Sequence, residues 1–131
     1  MSRTINFFSL TVCLLLFTSS FTLAATINVP ADHATIQAAV LASADGDTVL
    51  VAPGTYIENI NMSGRAVLLM SSGGRAVTTL QAVGAGSAAV TCNSGESFNT
   101  IIRGFTIVGN NSARGVRCTS TSPIVEYCEV R

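Results

Sequence analysis

Tryptophan and lysine are both missing from this chain of 131 residues, and histidine occurs once, as His33. Charged residues make up only 11% of the chain, and seven arginines offset seven carboxylates to a net charge of zero. No net field therefore steers it toward nucleic acid or an acidic lipid surface. The arginines are scattered rather than set in a stripe, which removes a nucleic-acid-binding reading. No serine has a second histidine or a nucleophile-elbow context around it, so a Ser-His hydrolase has no support. Cys13, Cys92, Cys118 and Cys128 are the only cysteines, and no two have the close spacing of a zinc or redox motif. No cofactor is expected.

The first apolar run is short. Arg3 precedes Phe7 to Phe17, and small residues follow at Ala24-Ala25. This is the layout of a signal peptide over 1–24. The run falls below the roughly 20 apolar residues of a membrane span. The expected product is exported to the extracellular space, the cell surface or the periplasm, free of the membrane after cleavage. Cys13 departs with the leader. The three remaining cysteines read as one pair plus a free thiol, or as three buried thiols.

The mature part, 25–131, is organised by Thr35 to Asn59. Asp32 or Thr35 offers a side-chain oxygen to start a helix. Ile36, Ala39, Val40 and Ser43 then form a narrow stripe at helical spacing. Asp45-Gly46-Asp47 is expected to end the helix, with the glycine left-handed. Thr48 to Val51 reads as a strand covered on both faces, by core and helix. Pro53-Gly54 suits the centre of a type II turn.

Short strands follow: Ile60 to Met62, Val67 to Met70, Thr78 to Ala82, Ala88 to Cys92, Thr100 to Arg103, Phe105 to Val108, Gly115 to Cys118, and Ile124 to Val130 with a bend near Tyr127. Glycine, serine and asparagine separate them. Val90-Thr-Cys92 returns later as Val116-Arg-Cys118. Ile101 to Ile107 returns at a similar interval as Ile124 to Val130. A period in the twenties marks a repeat architecture. Stacked windings place Cys92 under Cys118, Ile107 under Val130 and Phe105 under Cys128, all pointing inward. Arg103 falls under Glu126 on the outside. Stacked thiols at Cys92 and Cys118 are favoured over a disulfide.

Thr35-Ile-Gln-Ala-Ala-Val, Asp45-Gly-Asp-Thr-Val, Pro53-Gly-Thr-Tyr and Glu58-Asn59 together resemble the opening of pectate-lyase-like proteins, and Ile102-Arg-Gly-Phe-Thr-Ile107 is similar to their repeat coils. The resemblance implies an all-β fold, a right-handed parallel β-helix with a short N-terminal capping α-helix. It implies little about chemistry, because such proteins include pectin esterases, polysaccharide lyases, polygalacturonases and secreted proteins of no assigned activity. No catalytic constellation stands out. Asp45 and Asp47 flank a turn glycine, and Glu126 and Glu129 lie three apart on one stretch. Arg103, Arg114 and Arg117 are the residues that could face an acidic sugar. His33, in a polar segment, is expected in solvent. No capping element follows the last strand, so its edge is expected to be covered by further coils or by another chain. The expected function is a scaffold, surface or carbohydrate-binding module without a complete active site in this chain. The alternative is the N-terminal part of a polysaccharide-active enzyme.

Overall fold

The structure is a computed structural model and describes residues 23–111 and 114–131. The leader reading lies outside the described residues up to residue 22. From there the chain forms β1 (Thr26–Val29), α1 (Ile36–Ala42), β2 (Thr48–Val51), β3 (Gly54–Ile57), β4 (Ile60–Asn61) and β5 (Leu68–Ser71). It continues through β6 (Thr78–Gln81), β7 (Val90–Cys92), β8 (Ile101–Arg103), β9 (Thr106–Val108), β10 (Val116–Cys118), β11 (Ile124–Glu126) and β12 (Glu129–Val130).

Among the described residues every strand pairing is parallel, and the strands sort into three sheets. The first is β1-β2-β5-β8-β11, the second β3-β6-β9-β12, and the third β4-β7-β10. From β2 onward, successive strands visit the three sheets in turn, so the fold is a parallel β-solenoid of about four windings. Parallel neighbours cannot be joined by tight hairpins. Here each partner is reached only after the chain has gone once around.

The windings differ in length. On the first sheet Thr48 is in register with Leu68, Leu68 with Ile101, and Ile101 with Ile124. The circuit from Leu68 to Ile101 is the longest of these three. Its extra residues lie at all three of its corners, between β5 and β6, between β6 and β7 and between β7 and β8.

Inward-facing side chains fill the section. Val49, Val51, Ile60, Leu69, Leu80, Val90, Ile102, Phe105 and Ile107 are all at most 1% exposed. The column register follows the repeat. Val90 pairs with Val116, Cys92 with Cys118, Ile107 with Val130, and Arg103 with Glu126. Cys128 precedes Glu129, the partner of Thr106, and so falls in the column of Phe105. Not all upper members are covered as expected. Cys118 and Val130 are exposed because β10 and β12 are edge strands with a neighbour on one side only.

The helix stripe is buried in full: Ile36, Ala39, Val40 and Ser43. A helix of 7 residues is far too short to persist alone in water. It is held by packing and by side chains from elsewhere in the chain. Thr35 is its N-cap, accepting from the Ala38 amide at 3.1 Å. Asp32 instead closes the preceding turn on the Asn28 amide at 2.7 Å. Both Glu58 carboxylate oxygens accept from the first turn, from Ile36 at 3.0 Å and Gln37 at 2.9 Å. Negative charge at that end also suits the helix dipole.

Three local expectations are corrected. The helix does not cover the outer face of β2. It packs with β1, β2 and β4, and its buried residues join the same core as Val49 and Val51. Nor does Gly46 end it. Ser43 does, with its hydroxyl on the Val40 carbonyl at 2.6 Å, while the Arg65 guanidinium takes the Ser43 and Leu41 carbonyls. Gly46, at φ +92, turns the chain later. At the Pro53 corner, Gly54 is the first residue of β3 with φ +154, outside type II turn geometry.

Close stacking of corners makes one glycine critical. Gly64 has φ +72, and a Cβ there would lie 2.8 Å from the Ser94 carbonyl oxygen of the next winding. Gly64→Ala is expected to cost about 1–3 kcal/mol in urea unfolding, from strain and contact together. Gly86 has φ +78 but open space around it, so it carries the strain without the contact, and Gly86→Ala should cost less than Gly64→Ala by about 1 kcal/mol. Equal losses at the two positions would contradict the stacking at Gly64.

Candidate functional site

Alternation along each strand sends every second side chain outward. In-register stacking turns those residues into columns spaced by one strand separation, ~4.8 Å. On the first sheet one outward column is Thr26, Thr48, Leu68, Ile101 and Ile124, and its neighbour is Asn28, Leu50, Met70, Arg103 and Glu126. The middle of this face is apolar, at Leu50, Leu68, Met70 and Ile101, and polar residues flank it. On the second sheet Thr55, Thr79, Thr106 and Glu129 line up, beside Ile57, Gln81 and Val108. The third carries Asn61, Thr91 and Arg117.

The three arginines singled out from the sequence do not share a face. Arg103 lies on the first sheet. Its guanidinium pairs with Glu126 through Nε at 2.7 Å and through Nη2, and sits over the Tyr127 ring at 5.9 Å. Such a half-exposed pair contributes about 0–1 kcal/mol. Arg117 is on the third sheet and donates to the Gly86 carbonyl at 3.0 Å. Arg114 is exposed in the segment leading to β10. His33 is half-buried rather than free in solvent, its amide on the Asn28 carbonyl.

The carboxylates are more telling. Five of the seven hold backbone amides. Asp32 holds Asn28, Asp45 holds Ala66, Asp47 holds Ala25 and Ala44, Glu58 holds the helix start, and Glu96 holds Gly64 and Ser94. The other two pair with arginine, Glu126 with Arg103 and Glu129 with Arg131. The bend at Tyr127, φ +53, divides Glu126 from Glu129 and leaves both outside, on different sheets. The amides of Ala25 and Ala44 hold the Asp47 carboxyl below the ordinary carboxylate value, and the Asn28 amide does the same for Asp32. A general acid or base needs a proton to exchange near working pH. These groups are tuned the other way, as permanent acceptors. Among the described residues, no three His, Cys, Asp or Glu side chains group to hold a metal ion.

Glu96 and Arg65 were not singled out from the sequence, and Glu58 entered only as part of the opening motif, without a role. Apart from Ser94, two residues from Glu96, their partners lie 21 to 32 residues away, about one winding, so no local pattern displays those bonds. The available signal was weak: Glu96 follows a Ser-Gly pair, as a turn-closing acceptor can.

Cys92, Cys118 and Cys128 are free thiols. Burial, aided by Cys118 and Glu96 nearby, pushes the Cys92 thiol up to about 12. A thiol that stays protonated is a poor nucleophile. In native protein an aromatic disulfide reagent should modify exposed Cys118 readily and reach Cys92 only on unfolding. Cys92 reacting as fast as Cys118 would contradict the burial.

A concave feature among the described residues is a groove of about 240 Å³ lined by Asn28, Val29, Pro30, Ala31, Leu50, Ala52 and Ser72. It contains no titratable side chain. No protein-family model, no curated protein and no solved structure matches the chain. Architecture is thus what identifies it: a parallel β-solenoid whose acidic residues are bonded into the framework.

Proposed function

We propose that this chain is an exported, pectate-lyase-like module, wound right-handed with α1 capping its first winding, that acts as a scaffold or carbohydrate-binding surface. The observation that carries this is the engagement of all seven carboxylates in backbone or arginine bonds, alongside outward columns repeating in register. Right-handedness is the normal sense of parallel crossovers. The opening motif from Thr35 to Asn59 supports the family reading.

The second sheet offers the best glycan face. The hydroxyls of Thr55 and Thr79 form a polar column there, and beside it runs a mixed column in which the Gln81 amide lies between apolar Ile57 and Val108. Extended sugars present the same two kinds of surface. Arg103, Arg114 and Arg117 are the cations an acidic sugar would meet on the other sides. Retention should be measured on immobilised neutral glycans and on polygalacturonate. Retention on a neutral glycan, weakened at least tenfold by Thr79→Arg with unchanged melting, is the expected result. Selective retention on polygalacturonate, insensitive to Thr79→Arg, would move the site to the arginines. No retention on any glycan would leave the scaffold role alone.

A second reading is the N-terminal part of a polysaccharide-active enzyme. It draws on the edge strands β10, β11 and β12, where Ile124, Val125 and Val130 are 39%, 38% and 54% exposed. Further coils or another chain would cover that edge and could carry the reacting groups.

A further inference from the structure

We propose that the Ala24–Ala25 peptide bond is a processing site, and that the α-ammonium freed on Ala25 seats on Asp47. This rests on the export reading, with its leader over 1–24, and adds to it the group that receives the new end.

Four observations carry it. The Ala25 nitrogen lies 2.8 Å from Asp47 Oδ1, and the Ala25 carbonyl accepts from the Thr48 amide at 2.8 Å. The start of the first strand is thus already docked on the Asp47-Thr48 step. Asp47 is only 8% exposed yet, among the described residues, has no cationic partner. Arg65, the neighbouring cation, is occupied by the carbonyls at the end of α1, and Asp45 by the Ala66 amide. Finally, Leu23 is 91% exposed and Ala24 is exposed, so a protease can reach the bond. Ala24, with Thr22 two residues before it, supplies the small residues such cleavage needs.

The chemistry is amide hydrolysis by an export-linked endopeptidase. The C–N bond of Ala24–Ala25 breaks, water's oxygen joins the Ala24 carbonyl carbon, and its hydrogen goes to the Ala25 nitrogen. That amine, with an ordinary pKa of about 7.7–8.0, takes a further proton from solvent at neutral pH. A neutral N–H···carboxylate bond then becomes a doubly charged one, which is shorter and stronger.

The missing lysines make the test clean, because a chain starting at Ala25 has one amine. The full chain is produced in a secreting host and its intact mass measured. A product beginning at Ala25 is expected. Removal of the leader at another bond would overturn this proposal and leave the export reading standing, whereas an uncut chain would overturn both. The purified product is then acetylated with an amine-reactive reagent. Acetylation should raise the unfolding equilibrium constant by about threefold to tenfold in the native sequence and leave Asp47→Asn unchanged. No change in the native sequence, or an equal change in both, would overturn the seat. Should Asp47→Asn fail to fold, acylation rate decides. The amine should react several-fold more slowly in folded than in urea-unfolded protein, and equal rates would count against the pair.

Discussion

Phe105→Ala is expected to destabilise the fold by about 3–5 kcal/mol, the range for emptying a fully buried aromatic site. Phe105 is 0% exposed and heads the largest fully buried side chains. It sits at the corner between β8 and β9, where the first and second sheets converge. Gly104 before it has φ +79, and the Phe105 carbonyl accepts from Glu129 of the next winding at 2.9 Å. The backbone is thus held from both sides and cannot easily collapse into the void. For a domain near 100 residues, a loss of 3 kcal/mol lowers the melting temperature by roughly 12 °C or more. Phe105→Leu keeps most of the volume and should cost less than about 1.5 kcal/mol. Calorimetry of the two variants separates the cases. A loss under about 1 kcal/mol for alanine would show that the corner is not packed as described.

Glu96→Ala is the second large effect, and its cause is polar. Glu96 is 2% exposed, and its two oxygens accept from the Gly64 amide at 2.9 Å and the Ser94 amide at 2.8 Å. Its own carbonyl accepts from Ser122 at 3.0 Å. One residue therefore ties together three successive windings. Alanine leaves two amides without acceptors, each costing about 1–3 kcal/mol, so a total of about 3 kcal/mol is expected. Glu96→Gln keeps the shape but can satisfy only one amide through its oxygen, and should fall between. Amide hydrogen exchange gives a second readout. Gly64 and Ser94 should lose protection selectively in the alanine variant. Unchanged exchange at both would mean that Glu96 does not bond them in solution.

The repeat was legible because the register of a parallel solenoid writes itself into sequence spacing. Val90 and Val116, or Ile107 and Val130, sit at matching phases, and like residues recur where the same slot must be filled. The α1 stripe was legible for a similar reason, since periodicity and burial coincide at Ile36, Ala39 and Val40. The position of the helix was not. A stripe says that one side is covered without saying by what, and the adjacent strand β2 was only the nearest candidate. Side chains that bond backbone across windings were hidden for another reason. Glu58 reaches Ile36 and Arg65 reaches Ser43 only after the chain has closed a circuit. Candidate ligand-facing arginines suffered from the opposite ambiguity. Arg103 and Arg117 are close in sequence but fall on different sheets, because the chain between them rounds two corners, from β8 through β9 to β10.

The unequal windings give the molecule a grain. Backbone hydrogen bonds run along the stack, while only side chains bridge its cross-section. Tension applied between the two ends therefore loads one ring of bonds at a time, and the strand stack peels rather than shears. Each detached ring releases its own contour length, set by the chain between register partners such as Thr48 and Leu68, Leu68 and Ile101, or Ile101 and Ile124. The irregular middle ring, with its long corners, is then the largest extension step in a mechanical trace, and it also contains Glu96, the clamp that must let go first.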